Sequence, residues 1–133
     1  KKDFKKTLNI LLENYPVILI YPYPEYKHAV IQAMHIKSIL KNNFNIENND
    51  IEISLEEYFL QNKNIIDYLN TIKHKNLYKV FPHELFCEKK SKKCFFQKKG
   101  VPLYRDQVHL TYAGSEYINN KILQILKQID LDK

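Results

Sequence analysis

Between Phe4 and Glu13 the apolar positions Phe4, Leu8, Leu11 and Leu12 fall on one stripe at helical spacing, and Asn14-Tyr15-Pro16 interrupts the pattern. The spacing predicts an amphipathic helix that leads into Val17-Ile-Leu-Ile-Tyr21. That run is rich in β-branched residues, apolar on both faces and bounded by prolines, as expected of a strand buried inside a parallel sheet. Tyr21-Pro22-Tyr23-Pro24 then predicts an extended exit, because each proline disfavours helix in the residue before it. Ala29, Ala33, Ile36 and Leu40 recur at helical spacing and predict a second helix over 29–40, followed by a polar loop from Lys41 to Asp50.

Ser54 followed by Glu57 has the form of a capping box. Leu55, Tyr58, Phe59, Ile65, Ile66, Leu69 and Ile72 continue it as the stripe of a third helix, with a break expected near Asn62 to Asn64. Leu77 to Phe81 alternates in part and is closed by Pro82, which predicts a strand and then a short turn through His83 to Cys87. Val101 to Tyr104 reads as an extended approach to Arg105-Asp-Gln-Val-His109. Thr111 is placed to cap a last helix with Ile118, Ile122, Ile125, Leu126 and Ile129 on one face, and Asp130 to Lys133 as its frayed tail. The order helix, strand, helix, helix, strand, loop, helix predicts an α/β layered fold with a parallel sheet, with too few strands for a whole doubly wound domain. No internal repeat or low-complexity segment is apparent.

With 44% hydrophobic residues, 10 Tyr and 7 Phe, the 133 residues can supply one ordinary core, so residues 1–133 read as a single domain. The chain opens inside a helical pattern without an initiating methionine or a signal peptide, and is expected to be a segment of something longer. No run approaches the roughly 18 to 20 apolar residues needed to cross a bilayer. A net charge of +6 raises the possibility of a nucleic-acid partner. Against it, lysines are dispersed among asparagines and isoleucines along the whole chain, which reads as a lysine-rich composition rather than a phosphate-binding face.

The two cysteines, Cys87 and Cys94, flank a polar Glu-Lys-Lys-Ser-Lys-Lys segment. Without a CxxC or HxxxH pattern beside them, a zinc site lacks its roughly four ligands, and no metal or organic cofactor is expected. Two readings remain: a short-loop disulfide formed in an oxidising compartment, or two unlinked thiols.

The stretch that carries chemistry is Tyr104-Arg-Asp-Gln-Val-His-Leu-Thr-Tyr-Ala-Gly114. An Asp and a His three residues apart on one turn place a carboxylate against one imidazole nitrogen and leave the other free. That arrangement fixes the tautomer and stabilises the imidazolium formed when the histidine takes a proton from a serine. By itself Asp-x-x-His is a weak pattern, found also in surface pairs and caps. Tyr21, Tyr23 and Tyr26 form an aromatic group that suits either stacking on a sugar or simple loop packing. Arg105 is placed to steer an anionic glycan or acyl donor. His28, His35, His74 and His83 are scattered and read as surface or packing residues.

Asp106, His109, Leu110, Thr111 and Gly114, preceded by Pro102-Leu103-Tyr104, stand in register with an Asp-x-x-His-Leu-Ser/Thr-x-x-Gly stretch. The segment resembles the last motif of SGNH hydrolases, particularly the SGNH domains attached to membrane acyltransferases of the acyltransferase-three family. The cysteine pair is similar to one those periplasmic domains place before this motif, and Val17 to Pro24 resembles their central strand and proline loop. The resemblance implies a three-layer α/β/α, flavodoxin-like fold with a parallel sheet, represented here by its C-terminal portion. It also implies His109 as general base and later acid, Asp106 as its orienting partner, and Thr111 and Gly114 as structural residues.

Where the chain departs from that pattern, it lacks the Gly-Asp-Ser block that bears the nucleophile. Glycine occurs only at Gly100 and Gly114, and Ser38, Ser54, Ser91 and Ser115 stand outside any such context. The nucleophile and oxyanion hole are therefore expected outside this sequence. The resemblance implies O-acyl transfer, of acetyl above all, to or from a cell-envelope polysaccharide or lipopolysaccharide, with the acyl donor delivered by an adjoining membrane acyltransferase domain. It places the domain in the periplasm, tethered to the inner membrane, with no nucleic-acid partner. The alternatives are an esterase of the same fold and a non-catalytic envelope glycan-binding module.

Overall fold

A computed structural model describes residues 2–26 and 53–131. The helix predicted over 29–40 and the loop over 41–50 lie outside the described residues. α1 (Lys2–Asn14) leads through Pro16 into β1 (Val17–Ile20), and β2 (Ile53–Ser54) leads directly into α2 (Leu55–Asn70). β3 (Leu77–Val80) is followed by the short α3 (Pro82–Phe86), by two hairpins, β4 (Cys87–Glu88) with β5 (Lys93–Cys94) and β6 (Gln97–Lys98) with β7 (Val101–Pro102), and by α4 (Tyr112–Leu131).

β1 and β3 pair in parallel, with Val17 opposite Leu77 and Ile20 opposite Val80. Because successive side chains of a strand point to opposite faces, the pair feeds two cores. Val17, Leu19, Leu77 and Phe81 pack with Leu8 and Leu12 of α1 and Leu69 of α2. Ile18, Tyr78 and Val80 pack with Ile118, Ile125 and Ile129 of α4 and with Phe86 and Tyr104. Helices pack against both faces of this parallel pair, the mixed α/β arrangement expected. The strand predicted to lie buried, however, is half-buried from Val17 to Leu19 and exposed at Ile20, because among the described residues only β3 stands beside it. Leu12 is 1% exposed, and burying a leucine this fully contributes about 2 kcal/mol.

Two local expectations are corrected. α2 runs unbroken through Asn62 to Asn64, because these residues lie on its outward side and the Asn62 amide donates to the Tyr58 carbonyl instead of competing with the helix. The capping box at its start is formed in both directions: the Ser54 hydroxyl accepts from the Glu57 amide, and the Glu57 carboxylate accepts from the Ser54 amide. The stripes are also narrower than the periodicity suggests. Phe4, Leu11, Phe59, Ile65 and Leu126 are exposed.

Four short strands, β2, β4, β5 and β6, were absent from the predicted elements. Two residues carry no readable period, and these strands exist only through their pairing. β2, β5 and β4 form a three-stranded antiparallel sheet in that order. Cys87 lies directly opposite Cys94 in it, and the two are joined by a disulfide with Cα atoms 3.8 Å apart. That resolves the choice between bond and free thiols in favour of the bond. No helix among the described residues is long and apolar enough to cross a membrane.

Candidate active site

The candidate site is a five-residue excursion from the core. Leu103 and Tyr104 are essentially fully buried, and Tyr104 forms an antiparallel bridge with Leu110 that closes the loop Arg105 to His109. The Arg105 amide donates to the His109 carbonyl at 2.8 Å across the neck. From below, the Tyr104 ring anchors the loop against Tyr26, edge-on at 4.7 Å between centroids, and against Phe86 at 5.6 Å. From the side, the Tyr26 amide donates to the Gln107 carbonyl at 3.0 Å. The proline segment after β1 therefore holds the tip of a loop some eighty residues further along the chain.

Within the loop Asp106 acts as an Asx-type cap. Its Oδ1 accepts from the backbone amides of Val108 at 3.0 Å and His109 at 2.8 Å. The same carboxylate meets the imidazole, with His109 Nδ1 at 2.8 Å from Oδ2 and 3.0 Å from Oδ1. The backbone amides of His109 and Val108 stabilise the charged form and hold the Asp106 carboxyl down at about 2, with the His109 ring adding to the effect. An ionised carboxylate on Nδ1 favours the tautomer protonated there, which presents Nε2 as an acceptor on the opposite side of the ring. The His109 side chain is 66% exposed, and Nε2 has no hydrogen-bond partner among the described residues.

The predicted structural residues hold the helix that follows. The Thr111 hydroxyl donates to the Pro102 carbonyl at 2.8 Å and accepts from the Gly114 amide at 3.1 Å, so it caps α4 and ties it to β7. A Cβ on Gly114 would overlap the Leu103 carbonyl oxygen, the same oxygen that accepts the Thr111 amide at 2.9 Å. Only a residue without a side chain lets helix and strand approach this closely.

The remaining sequence candidates are placed as follows. Arg105 stands beside the pair, 70% exposed, with Nε 4.0 Å from Asp106 Oδ2. Tyr23 is half-buried and turned toward Phe86, 6.4 Å between centroids, and burial raises its hydroxyl pKa. Tyr21 is buried, with its hydroxyl donating to Asn70 Oδ1. His83 packs among Tyr58, Phe59 and Phe81 with its Nδ1 buried and without a partner among the described residues, and burial lowers its pKa. It is the packing histidine the sequence suggested.

Tyr26 and Tyr104 are the residues sequence reasoning passed over as supports of the site. The sequence presents Tyr104 only within the motif and Tyr26 within an aromatic group suited to sugar stacking or loop packing, and nothing local marks two tyrosines far apart in the chain as partners. The Tyr104 hydroxyl is itself buried with no partner among the described residues.

Among the described residues no three or more His, Cys, Asp or Glu side chains gather as a metal site. A cavity of 630 Å³ under the disulfide hairpin is lined by residues that include Cys87, Glu88, Lys93 and Gln97 but neither Asp106 nor His109. The pair sits instead on an open surface, where it can exchange a proton with a group brought to Nε2 from outside the described residues.

No match was found among curated proteins or among solved structures. The family model of the SGNH domain (fused to AT3 domains) matches residues 1–124, which takes in both strands of the parallel pair, the disulfide hairpin and the Asp106–His109 loop. The chain therefore belongs to the family of SGNH domains fused to acyltransferase-3 domains, a hydrolase- and acyl-transfer-related family.

Proposed function

We propose that this chain supplies the acid–base half of a Ser-His-Asp triad that transfers an O-acyl group, acetyl above all, to or from cell-envelope carbohydrate. The observation that carries the reading is the His109 imidazole, held through Nδ1 by an ionised Asp106 and open at Nε2. A serine presented to Nε2 gives up its proton as its oxygen attacks the acyl carbonyl. The tetrahedral intermediate then expels the alcohol, which takes that proton from His109. In the second half His109 deprotonates the acceptor sugar hydroxyl, or water in hydrolysis, and returns the proton to the serine.

The nucleophile is supplied from outside these residues. The chain has no Gly-Asp-Ser block, and two of its serines have structural roles: Ser54 caps α2, and the Ser115 hydroxyl bonds to the Thr111 carbonyl. On this reading residues 1–133 are the C-terminal portion of a three-layer α/β/α domain that stands in the periplasm beside its membrane acyltransferase domain. Arg105 and Tyr23 are the substrate-facing candidates, for an anionic group and a sugar ring respectively. Openness of the pair supports a second reading, a glycan-binding module of the same fold without chemistry.

The test is acyl transfer by the polypeptide that contains this chain together with its upstream coding region, with purified envelope polysaccharide as acceptor. His109→Ala should reduce turnover about 10³-fold or more. Activity that survives the substitution would remove His109 from the reaction, and polysaccharide binding without any turnover in the unsubstituted protein would favour the binding module.

A further inference from the structure

His109 is bracketed by two exposed apolar side chains, Val108 immediately before it and Tyr112 three residues after it. Tyr112 is 84% exposed, more than any other aromatic residue among those described, and its ring and hydroxyl have no partner among them. A single exposed apolar residue is ordinary on a protein surface. Tyr112 is set apart by what fixes it in place.

It is the first residue of α4. The Thr111 amide donates to the Leu103 carbonyl and the Thr111 hydroxyl to the Pro102 carbonyl, while Leu110 forms a bridge with Tyr104. The segment 102–104 therefore anchors both the loop that carries His109 and the helix start that carries Tyr112. Three residues span at most about 11 Å, so the two side chains spring from points within the length of a short oligosaccharide. Leu110, between them, packs against the core, and the Cβ position of Gly114 meets the Leu103 carbonyl. Gly114 lies about 200° round the helix from Tyr112, so Tyr112 stands on the side of α4 turned away from that contact.

We propose that Tyr112 is the platform on which a pyranose ring of the acceptor carbohydrate stacks while a hydroxyl of that carbohydrate meets His109. The proposal rests on the reading that a sugar hydroxyl is brought to Nε2, and it names the residue that holds the sugar there. An exposed phenol suits this ligand. Its electron-rich face attracts the C–H groups of a sugar, and the hydroxyl at its rim can bond to sugar hydroxyls. An acyl chain calls instead for an enclosed apolar pocket. Tyr23, the other candidate for a sugar ring, is half-buried against Phe86, which leaves the open stacking face to Tyr112. Fixing a tyrosine on a ligand restricts only two side-chain torsions, so the ordering cost is low.

The experiment measures retention by purified, O-deacylated envelope polysaccharide in affinity electrophoresis. It uses the polypeptide that includes the upstream coding region, in a His109→Ala background that keeps turnover out of the measurement. Tyr112→Ala should weaken binding about tenfold, equivalent to about 1.4 kcal/mol. Tyr112→Phe keeps the ring and should stay within about twofold. So exposed a side chain can be removed with little cost to the fold. The control is Tyr15→Ala, which removes a tyrosine that is 62% exposed. Tyr15 precedes β1, whereas Tyr26, bonded to the His109 loop, follows it. With His109 restored, the loss of acyl transfer in Tyr112→Ala should fall on KM rather than kcat.

A loss confined to Tyr112→Ala and rescued by phenylalanine supports the proposal. It does so even where the parent polypeptide turns nothing over, in which case the triad reading fails and the platform stands. Equal retention of Tyr112→Ala and its parent overturns it, as does equal loss in Tyr15→Ala or no retention of the parent. A fall in kcat alone overturns it by making Tyr112 a support of the His109 loop. Turnover that requires His109 but is indifferent to Tyr112 keeps the triad and removes the platform.

Discussion

One carboxylate oxygen of Asp106 accepts the backbone amide of His109 at 2.8 Å, while the other meets the imidazole Nδ1 of the same residue at 2.8 Å. The aspartate that builds the turn is thus also the one that orients the ring.

Asp106→Asn separates the two roles. An asparagine oxygen still accepts from the Val108 and His109 amides, so the loop keeps its shape, but the imidazolium loses its counter-charge and the tautomer is no longer enforced. Turnover in the upstream-extended polypeptide should fall up to about 10⁴-fold with little change in stability. Substrate turnover together with a denaturant melt checks this, and an equal collapse of both would mean that the carboxylate is structural alone.

The Asp106 carboxyl should titrate at about 2, below its ordinary value of 3.8. A folded-state pKa depressed in this way contributes stability that is fully present above the unfolded value and is lost as pH falls through the folded one. The loop should therefore be at full strength above about pH 4 and loosen between there and about pH 2. Carboxyl-detected NMR titration reads the midpoint directly, and a midpoint near 4 would mean that the two amide bonds are not maintained in solution.

Gly114→Ala should destabilise the chain by about 1–3 kcal/mol or more, since the added methyl group meets backbone, the Leu103 carbonyl, rather than a movable side chain. Urea unfolding measures it. An unchanged midpoint would show room between α4 and the strand end that the structure does not have.

Reduction of the Cys87–Cys94 bond should lower stability by about 2–3 kcal/mol, the chain-entropy value for so short a loop. Unfolding compared with and without reductant isolates the cross-link from any change of side chain. Stability that does not respond to reductant would mean that the pairing of β2, β5 and β4 holds the hairpin without it.

Much was legible along the chain because it is locally encoded. The capping box at Ser54 and Glu57, the helix stripes, the doubly apolar β1 and the Asp106–His109 turn all depend on residues within one or two helical turns of one another. Spacing alone is enough to state them. The four two-residue strands were not legible, since a strand so short is defined by its neighbour, and β2 reaches its neighbour β5 across some forty residues.

What the sequence by itself determined is the order of the longer elements among the described residues, the strand at Val17–Ile20, and the three-residue spacing that puts the Asp106 carboxylate against the His109 ring. Tertiary structure decided that the two cysteines are joined and that Tyr26 and Tyr104 brace the Asp106–His109 loop. The reason is range: a hydrogen bond or cap within one turn needs only backbone geometry. A contact between distant segments depends instead on the burial of apolar surface, which belongs to the whole fold and to no window of the sequence.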